Sequence, residues 1–422
     1  MSSGQGTKFV DPRMDPMPQS ERPSGRHTDD LGELEELHVL CRLGRLYDVE
    51  RWIRQGKPLQ LAAGANHGRR RTRSALEIAL DRQDHALILL LVVNGYDAEL
   101  ESESPLNAAL RLRRMDLLDL LLDWGADPKR VSPDTLFETY TTSLFERFRA
   151  LGLDLTAGHS VAYALGEHTS NKPLFGFVKR HRIEDPRIQS DLNIALAHHA
   201  GEGNEKGVML CLWAGGDPHA LVPSLRYLGY GDVESDEDEG SSAIHMACIH
   251  GHAGILERLG LDPTRDDYDQ LFCWATNEKT IALLARSALP RDPGKVISLQ
   301  LARAGWPFHD FRPSETLRAL FEAGIRWRTS PVQEIANARR NLLRCSDYVF
   351  SELMRLLTAE DHCSSEILAE LARTPSIRQR LKKVGLIPET WPSRSIFNRS
   401  RTSKTALMLE KLGLDPRPAK QH

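Results

Sequence analysis

The chain reads as an all-α solenoid of stacked helix–turn–helix repeats. Two observations predict this: one phrase recurs at about thirty-residue spacing, and neither helix of a copy can bury its apolar face alone. Residues 74–97 (SALEIALDRQDHALILLLVVNGYD) and 104–127 (SPLNAALRLRRMDLLDLLLDWGAD) align directly. Residues 192–217 align once a few residues are admitted around Ala200–Glu202. Each copy has a short helix with Leu-x-x-Ala, a turn, an apolar helix and a closing Gly-x-Asp. The small alanine lets two antiparallel helices approach closely, and the glycine supplies a left-handed cap.

The alanine recurs at Ala79 and Ala109, thirty residues apart, and at Ala164 and Ala195, thirty-one apart. Thr139 stands thirty beyond Ala109 in a weaker copy that ends at Gly152-Leu153-Asp154. An N-terminal copy occupies 37–56. After residue 264 the phrase degenerates: 271–284, 301–308 and 316–327 keep helix-pair character, with Gly305 and Gly324 at closing positions.

These residues resemble the ankyrin-repeat family, whose copies begin T-P-L-H-x-A and close on a G-A-D-like turn. Ser104-Pro105-Leu106-Asn107-Ala108-Ala109 and Gly125-Ala126-Asp127 are the best matches, and Ala243-Ile244-His245-Met246-Ala247 with Gly251-His252 falls into the same register. The copy closing at Gly260-Leu261-Asp262 has a shortened second helix, and the weak copy is expected to share that shortening. The resemblance implies a solenoid with finger loops, degenerate toward the C-terminus. It divides the chain into a disordered segment 1–30, a solenoid 31–264, degenerate helical repeats 265–330, a helical cap or module 331–385, and a basic flexible tail 386–422.

Composition sets the remaining bounds. The 422 residues are 41% hydrophobic and 27% charged, with a formal net charge of -3, so no global field selects nucleic acid or an anionic membrane. Six scattered cysteines without CxxC pairs read as buried thiols and not as a disulfide framework. The N-terminus has no apolar h-region, and the apolar run 86–93 is too short to span a bilayer. A cytoplasmic protein without membrane association is the expectation.

His245, Cys248, His250 and His252 lie within eight positions, which invites a metal reading. A closed zinc site needs four ligands at motif spacing, and Gly251 interrupts the helix before His252. The resemblance instead gives His245 and His252 structural hydrogen bonds between turns and helices. His198-His199 reads as a helix end. No Walker, G-x-S-x-G, H-E-x-x-H or EF-hand pattern occurs, and "GEGNEKG" (201–207) fits an inter-helix turn. No catalytic residue, metal ligand or cofactor is expected.

Two insertions fall where finger loops collect on one face. One, 57–73, ends in Arg69, Arg70, Arg71 and Arg73; the other, 218–240, carries Tyr227 and Tyr230 before Glu234, Asp236, Glu237, Asp238 and Glu239. Charge runs are also what solvated loops carry, but tyrosines are enriched at binding hot spots. These eleven residues are the candidate partner-binding set.

The expected function is a non-catalytic scaffold or adaptor that binds one or more proteins across the finger and concave surface. One alternative is a nucleic-acid-associated adaptor using the arginine finger and the basic tract Arg373–Lys404. The other is an enzyme or metal protein with its site in the C-terminal half. Protein is the favoured partner and nucleic acid the lesser one.

Overall fold

A computed structural model describes residues 26–63, 73–223, 240–303, 313–359 and 362–385. The chain divides into two units, Met1–Asp191 and Leu192–His422. Among the described residues there are 22 α-helices and almost no strand, an all-α protein. No described helix is long and apolar enough to cross a membrane.

In the first unit the helices come in pairs. They are α1 (Glu35–Leu43) with α2 (Leu46–Arg54), α3 (Ala75–Asp81) with α4 (His85–Val93), and α5 (Pro105–Arg111) with α6 (Met115–Asp123). Then follow α7 (Pro133–Phe137) with α8 (Thr142–Ala150) and α9 (Ser160–Glu167) with α10 (Lys172–His181). First helices pack on first helices, from α1 through α3, α5 and α7 to α9. Second helices pack likewise, α2 on α4, α4 on α6 and α8 on α10. The unit is thus a two-row array in which each pair covers its neighbour. Helix α11 (Pro186–Gly201) carries the division at Asp191.

The second unit repeats the pattern. After α12 (Glu205–Ala214) come α13 (Ala243–Ile249) with α14 (Ala253–Leu259), α15 (Tyr268–Trp274) with α16 (Glu278–Ser287), and α17 (Pro293–Arg303) with α18 (Pro313–Glu322). The last pairs are α19 (Val332–Leu342) with α20 (Asp347–Thr358) and α21 (Ser365–Leu371) with α22 (Pro375–Lys383). One row runs α13, α15, α17, α19, α21, and the other α14, α16, α18, α20. The helices of 331–385 therefore continue the same two rows, although their sequence lacks the Leu-x-x-Ala start.

The repeated phrase has a physical reason at each position. Leu76 and Ala79, Leu106 and Ala109, and Leu192 and Ala195 are all fully buried, and burying a leucine contributes about 1.5–3 kcal/mol. Helix starts are capped: Ser74 and Glu77 form a reciprocal capping box on α3, and Asp84, Asn171, Asn204 and Asn277 each accept a first-turn N–H. In six of the turns between consecutive helices, one residue takes the left-handed region: Gly44, Gln83, Arg113, Tyr140, Gly203 and Gly251. A left-handed glycine opens the turn between pairs, and the aspartate two positions on accepts an N–H two residues ahead. Asp97, Asp127, Asp154, Asp217 and Asp262 do this at 2.9–3.1 Å. The Gly-x-Asp phrase is thus a left-handed cap followed by an Asx turn.

Hydrogen bonds between successive pairs join the rows. At the inner turns, Arg82 donates to Arg42 O at 2.7 Å, Asn171 to Phe137 O at 2.9 Å, His252 to Gly201 O at 2.9 Å and Asn277 to Gly251 O at 2.8 Å. In the degenerate region Gln300 Nε2 reaches the carbonyls that end α15, Phe272 O at 2.8 Å among them. At the outer turns Arg130 donates to Glu99 O at 2.8 Å, and Arg187 and Arg265 reach Asp154 and Asp217 at 2.9 and 2.8 Å.

Two expectations need adjustment. Helix α14 is shortened, with seven residues against nine in α4 and α6, but the weak copy shortens its first helix instead: α7 has five residues and α8 nine. Its core is rebuilt from aromatic rings, Phe137 on Phe145 at 5.5 Å and Phe145 on Phe177 at 5.8 Å, both edge-on. Second, within the segment expected to be disordered, residues 26–30 are described. Strand β1 (His27–Thr28) pairs in parallel with β2 (Gln60–Leu61).

Arg113 is exposed yet holds φ 55°, where an L-residue is strained by about 1–2 kcal/mol. Arg113→Gly should therefore raise the unfolding free energy by about 1 kcal/mol, read by urea denaturation; a loss of stability would contradict the account of this turn.

Candidate functional site

The histidine-rich phrase sits on α13 and the turn that follows. Ser242 caps α13 and accepts from His245 N, while His245 Nδ1 lies 2.9 Å from Ser242 Oγ and Nε2 lies 2.9 Å from Gln270 Oε1. A neutral imidazole protonated on Nε2 satisfies both contacts, so His245 ties the start of α13 to α15. His252 Nε2 donates to Gly201 O, and Cys248 Sγ, fully buried, donates to Leu271 O at 3.1 Å. Three of the four side chains are thereby committed to joining helix pairs. His250 is exposed, and its ring stacks with His252 at 6.3 Å. Among the described residues no three His, Cys, Asp or Glu side chains converge on a metal position.

All six cysteines are free and buried. Burial pushes the thiols of Cys41, Cys273 and Cys363 up to about 12 and those of Cys211, Cys248 and Cys345 upward as well. None is a thiolate at neutral pH, so none offers an activated nucleophile. His198 and His199 close α11, and "GEGNEKG" is the turn into α12, with Gly203 at φ 74° and Asn204 accepting from Gly207 N at 3.0 Å.

Of the candidate partner-binding residues, Arg73 alone lies within the described residues. Arg69, Arg70, Arg71, Tyr227, Tyr230, Glu234, Asp236, Glu237, Asp238 and Glu239 lie outside them. The described ends of both insertions are anchored. Trp52 Nε1 donates to Pro58 O at 2.8 Å, Leu59 is buried, and Gln60 Oε1 accepts from Asp97 N at 2.8 Å. In the second insertion Val222 and Ser241 exchange backbone bonds at 3.1 Å. The chain therefore leaves and rejoins the frame at one point. A Cβ at Gly240 would stand 2.5 Å from Val222 O, so this closure requires glycine.

Arg73 borders two grooves on the first-helix row. The larger, about 590 Å³, runs between α1 and α3, with Val39 and Ile78 beside Arg42, Arg82 and the Arg73–Asp81 pair. The smaller, about 330 Å³, runs between α3 and α5, where Leu76, Leu80 and Ala108 are flanked by Glu103 and Arg111, paired at 2.7 Å. Both ion pairs are largely exposed. They hold little energy and are open to exchange with a partner's charges. On α1, Val39 and Leu43 are 44% and 62% exposed, one turn apart on a helix whose Leu37, His38 and Cys41 are buried. Sequence reasoning singled out the insertions and passed over this face. The readable signal was an aliphatic i, i+4 pair outside the Leu-x-x-Ala register.

Burial, then the Arg42 guanidinium, lowers the affinity of His38 for its proton; partial desolvation of the ring, then His252, does the same for His250. Their folded values lie below the ordinary 6.5. The stability they contribute is complete above that value and is lost as pH falls through the window beneath it. A denaturation series should show stability dropping below pH 6.5, less steeply in His250→Asn; a steeper fall in that variant would contradict the assignment. His245→Ala should cost about 2 kcal/mol while a chelator leaves the wild-type melting temperature unchanged. A melt that collapses in chelator would restore the metal reading. No family model matches the chain, and no curated protein matches it in sequence.

Proposed function

We propose that the chain is a non-catalytic, degenerate ankyrin-repeat protein that binds a partner protein across its first-helix row and finger insertions. The observation that carries this reading is the pair of grooves between α1, α3 and α5, which meet at Arg73, the root of the basic insertion. Support for the family reading comes from the repeated left-handed inner turn, the Gly-x-Asp outer turn, and His245 bonded at the start of one first helix and across to the next. A cytoplasmic location belongs to the same reading.

The mechanism is surface complementarity on a fixed frame. Hydrogen-bonded turns hold the grooves in place, so little ordering entropy is lost on binding. The aliphatic patch of Val39 and Leu43 supplies area removed from water, about 25 cal/mol per Å². Arg69, Arg70, Arg71 and Arg73 at one insertion, and the acids 234–239 with Tyr227 and Tyr230 at the other, set orientation and association rate.

Val39→Glu with Leu43→Glu should weaken partner capture by tenfold or more while the circular dichroism melt is unchanged, since both side chains are exposed. Deleting 224–239 and neutralising the four arginines should slow association and flatten its salt dependence. Capture indifferent to both sets of changes would contradict the proposal.

A further inference from the structure

We propose that the groove between α17 and α19 is a second docking site, specific for an acidic, extended segment of a partner protein carrying an aliphatic residue. This rests on the interaction reading above but assigns a different surface and a defined ligand chemistry.

The groove encloses about 330 Å³ and is built from two helical stripes. Helix α17 presents Lys295, Ser298, Leu299 and Ala302, spaced i, i+3, i+4, i+7; Asn337, Arg340, Asn341 and Arg344 repeat that spacing along α19 and its C-terminal turn. Lys295, Arg340 and Arg344 are exposed, and no carboxylate pairs with them among the described residues. The acid that lines the groove, Glu334, accepts the Ser330 hydroxyl. This contrasts with the first unit, where Arg73 and Arg111 at the grooves each hold a carboxylate. Three cations thus frame a floor of Leu299 and Ala302, with the Asn337 and Asn341 amides between them.

The dimensions select an extended peptide. From Glu334 to Arg344 the lining spans ten residues along α19 and its C-terminal turn, roughly 15 Å at 1.5 Å per residue. That is the reach of about five residues of extended chain. Arg340 and Arg344 stand about 6 Å apart along the helix, matching carboxylates two residues apart on a strand, at about 6.7 Å. The pattern read by the groove is therefore acid-x-acid with an aliphatic side chain on Leu299, and the asparagine amides suit the peptide backbone. A nucleic-acid strand is disfavoured: among the described residues no aromatic ring lines the groove to stack a base, and its lining cations stand on two neighbouring first helices alone.

The test is fluorescence anisotropy of a labelled Gly-Asp-Ser-Asp-Gly-Leu-Gly peptide titrated with the full chain at low salt. A labelled single-stranded oligonucleotide is titrated in parallel. Binding of the peptide in preference to the oligonucleotide is expected, with affinity falling as salt rises. Arg340→Glu with Arg344→Glu should reduce it about tenfold or more, and Leu299→Ser about threefold. No peptide binding, equal binding by the charge-reversed variant, or tighter oligonucleotide binding would each overturn the proposal. Affinity capture with both proteins separates the two readings. If wild type captures partners that the charge-reversed chain retains, and the peptide does not bind, the groove is refuted and the interaction reading stands. If wild type captures none, the interaction reading fails.

Discussion

Every helix pair in this protein is apolar on surfaces it cannot cover by itself, and that constraint governs the rest of the structure. Leu76 and Ala79 are buried because α1 and α5 lie on either side of α3. The same holds along each row. Apolar burial supplies the driving force, but it is non-directional and would tolerate a slip of one pair over the next. Register comes from the polar rungs: Arg82, Asn171, His252 and Asn277 each place a side-chain donor on the turn of the preceding pair. A slip would strand those carbonyls and donors away from water, at about 1–3 kcal/mol for each.

Function on this account follows from what the rows leave uncovered. A first helix buries one face against its neighbours and its second helix, and its remaining face becomes the wall of a groove. Two grooves in the first unit and one in the second are lined in this way. Their chemistry differs because the uncovered positions are free of the packing constraint. Compensated pairs occupy the α3 and α5 walls, while cations with no carboxylate paired to them among the described residues frame the groove of α17 and α19. One repeated frame thus presents several surfaces of different charge.

Much of the frame was legible in the sequence, because its residues obey local rules that repeat. Leu-x-x-Ala, the closing glycine and its aspartate each do one job in the copies that keep them, so comparing those copies revealed them. The structural role of His245 and His252 was legible for the same reason. The shortening of α7 was not, since the residues that rebuild that core, Phe137, Phe145 and Phe177, come from two successive pairs. Nor was the continuation of the rows through α19 and α21, where Ile335, Ala338 and Leu342 are buried without the Leu-x-x-Ala start. The grooves were the least legible feature. A groove is made by side chains about forty positions apart, such as Leu299 and Arg340, and no local pattern marks their meeting.

The central claim is that a partner lies across the first-helix row. Hydroxyl-radical footprinting, with and without a captured partner, tests it most directly, because it reads side-chain exposure on both rows at once. The account predicts that oxidation of Val39 and Leu43 on α1 falls on binding, while Tyr47 on α2 and Met115 on α6, exposed on the second-helix row of the same unit, are oxidised as before. Protection of Tyr47 and Met115 with Val39 and Leu43 unchanged would place the partner on the other row and contradict the account.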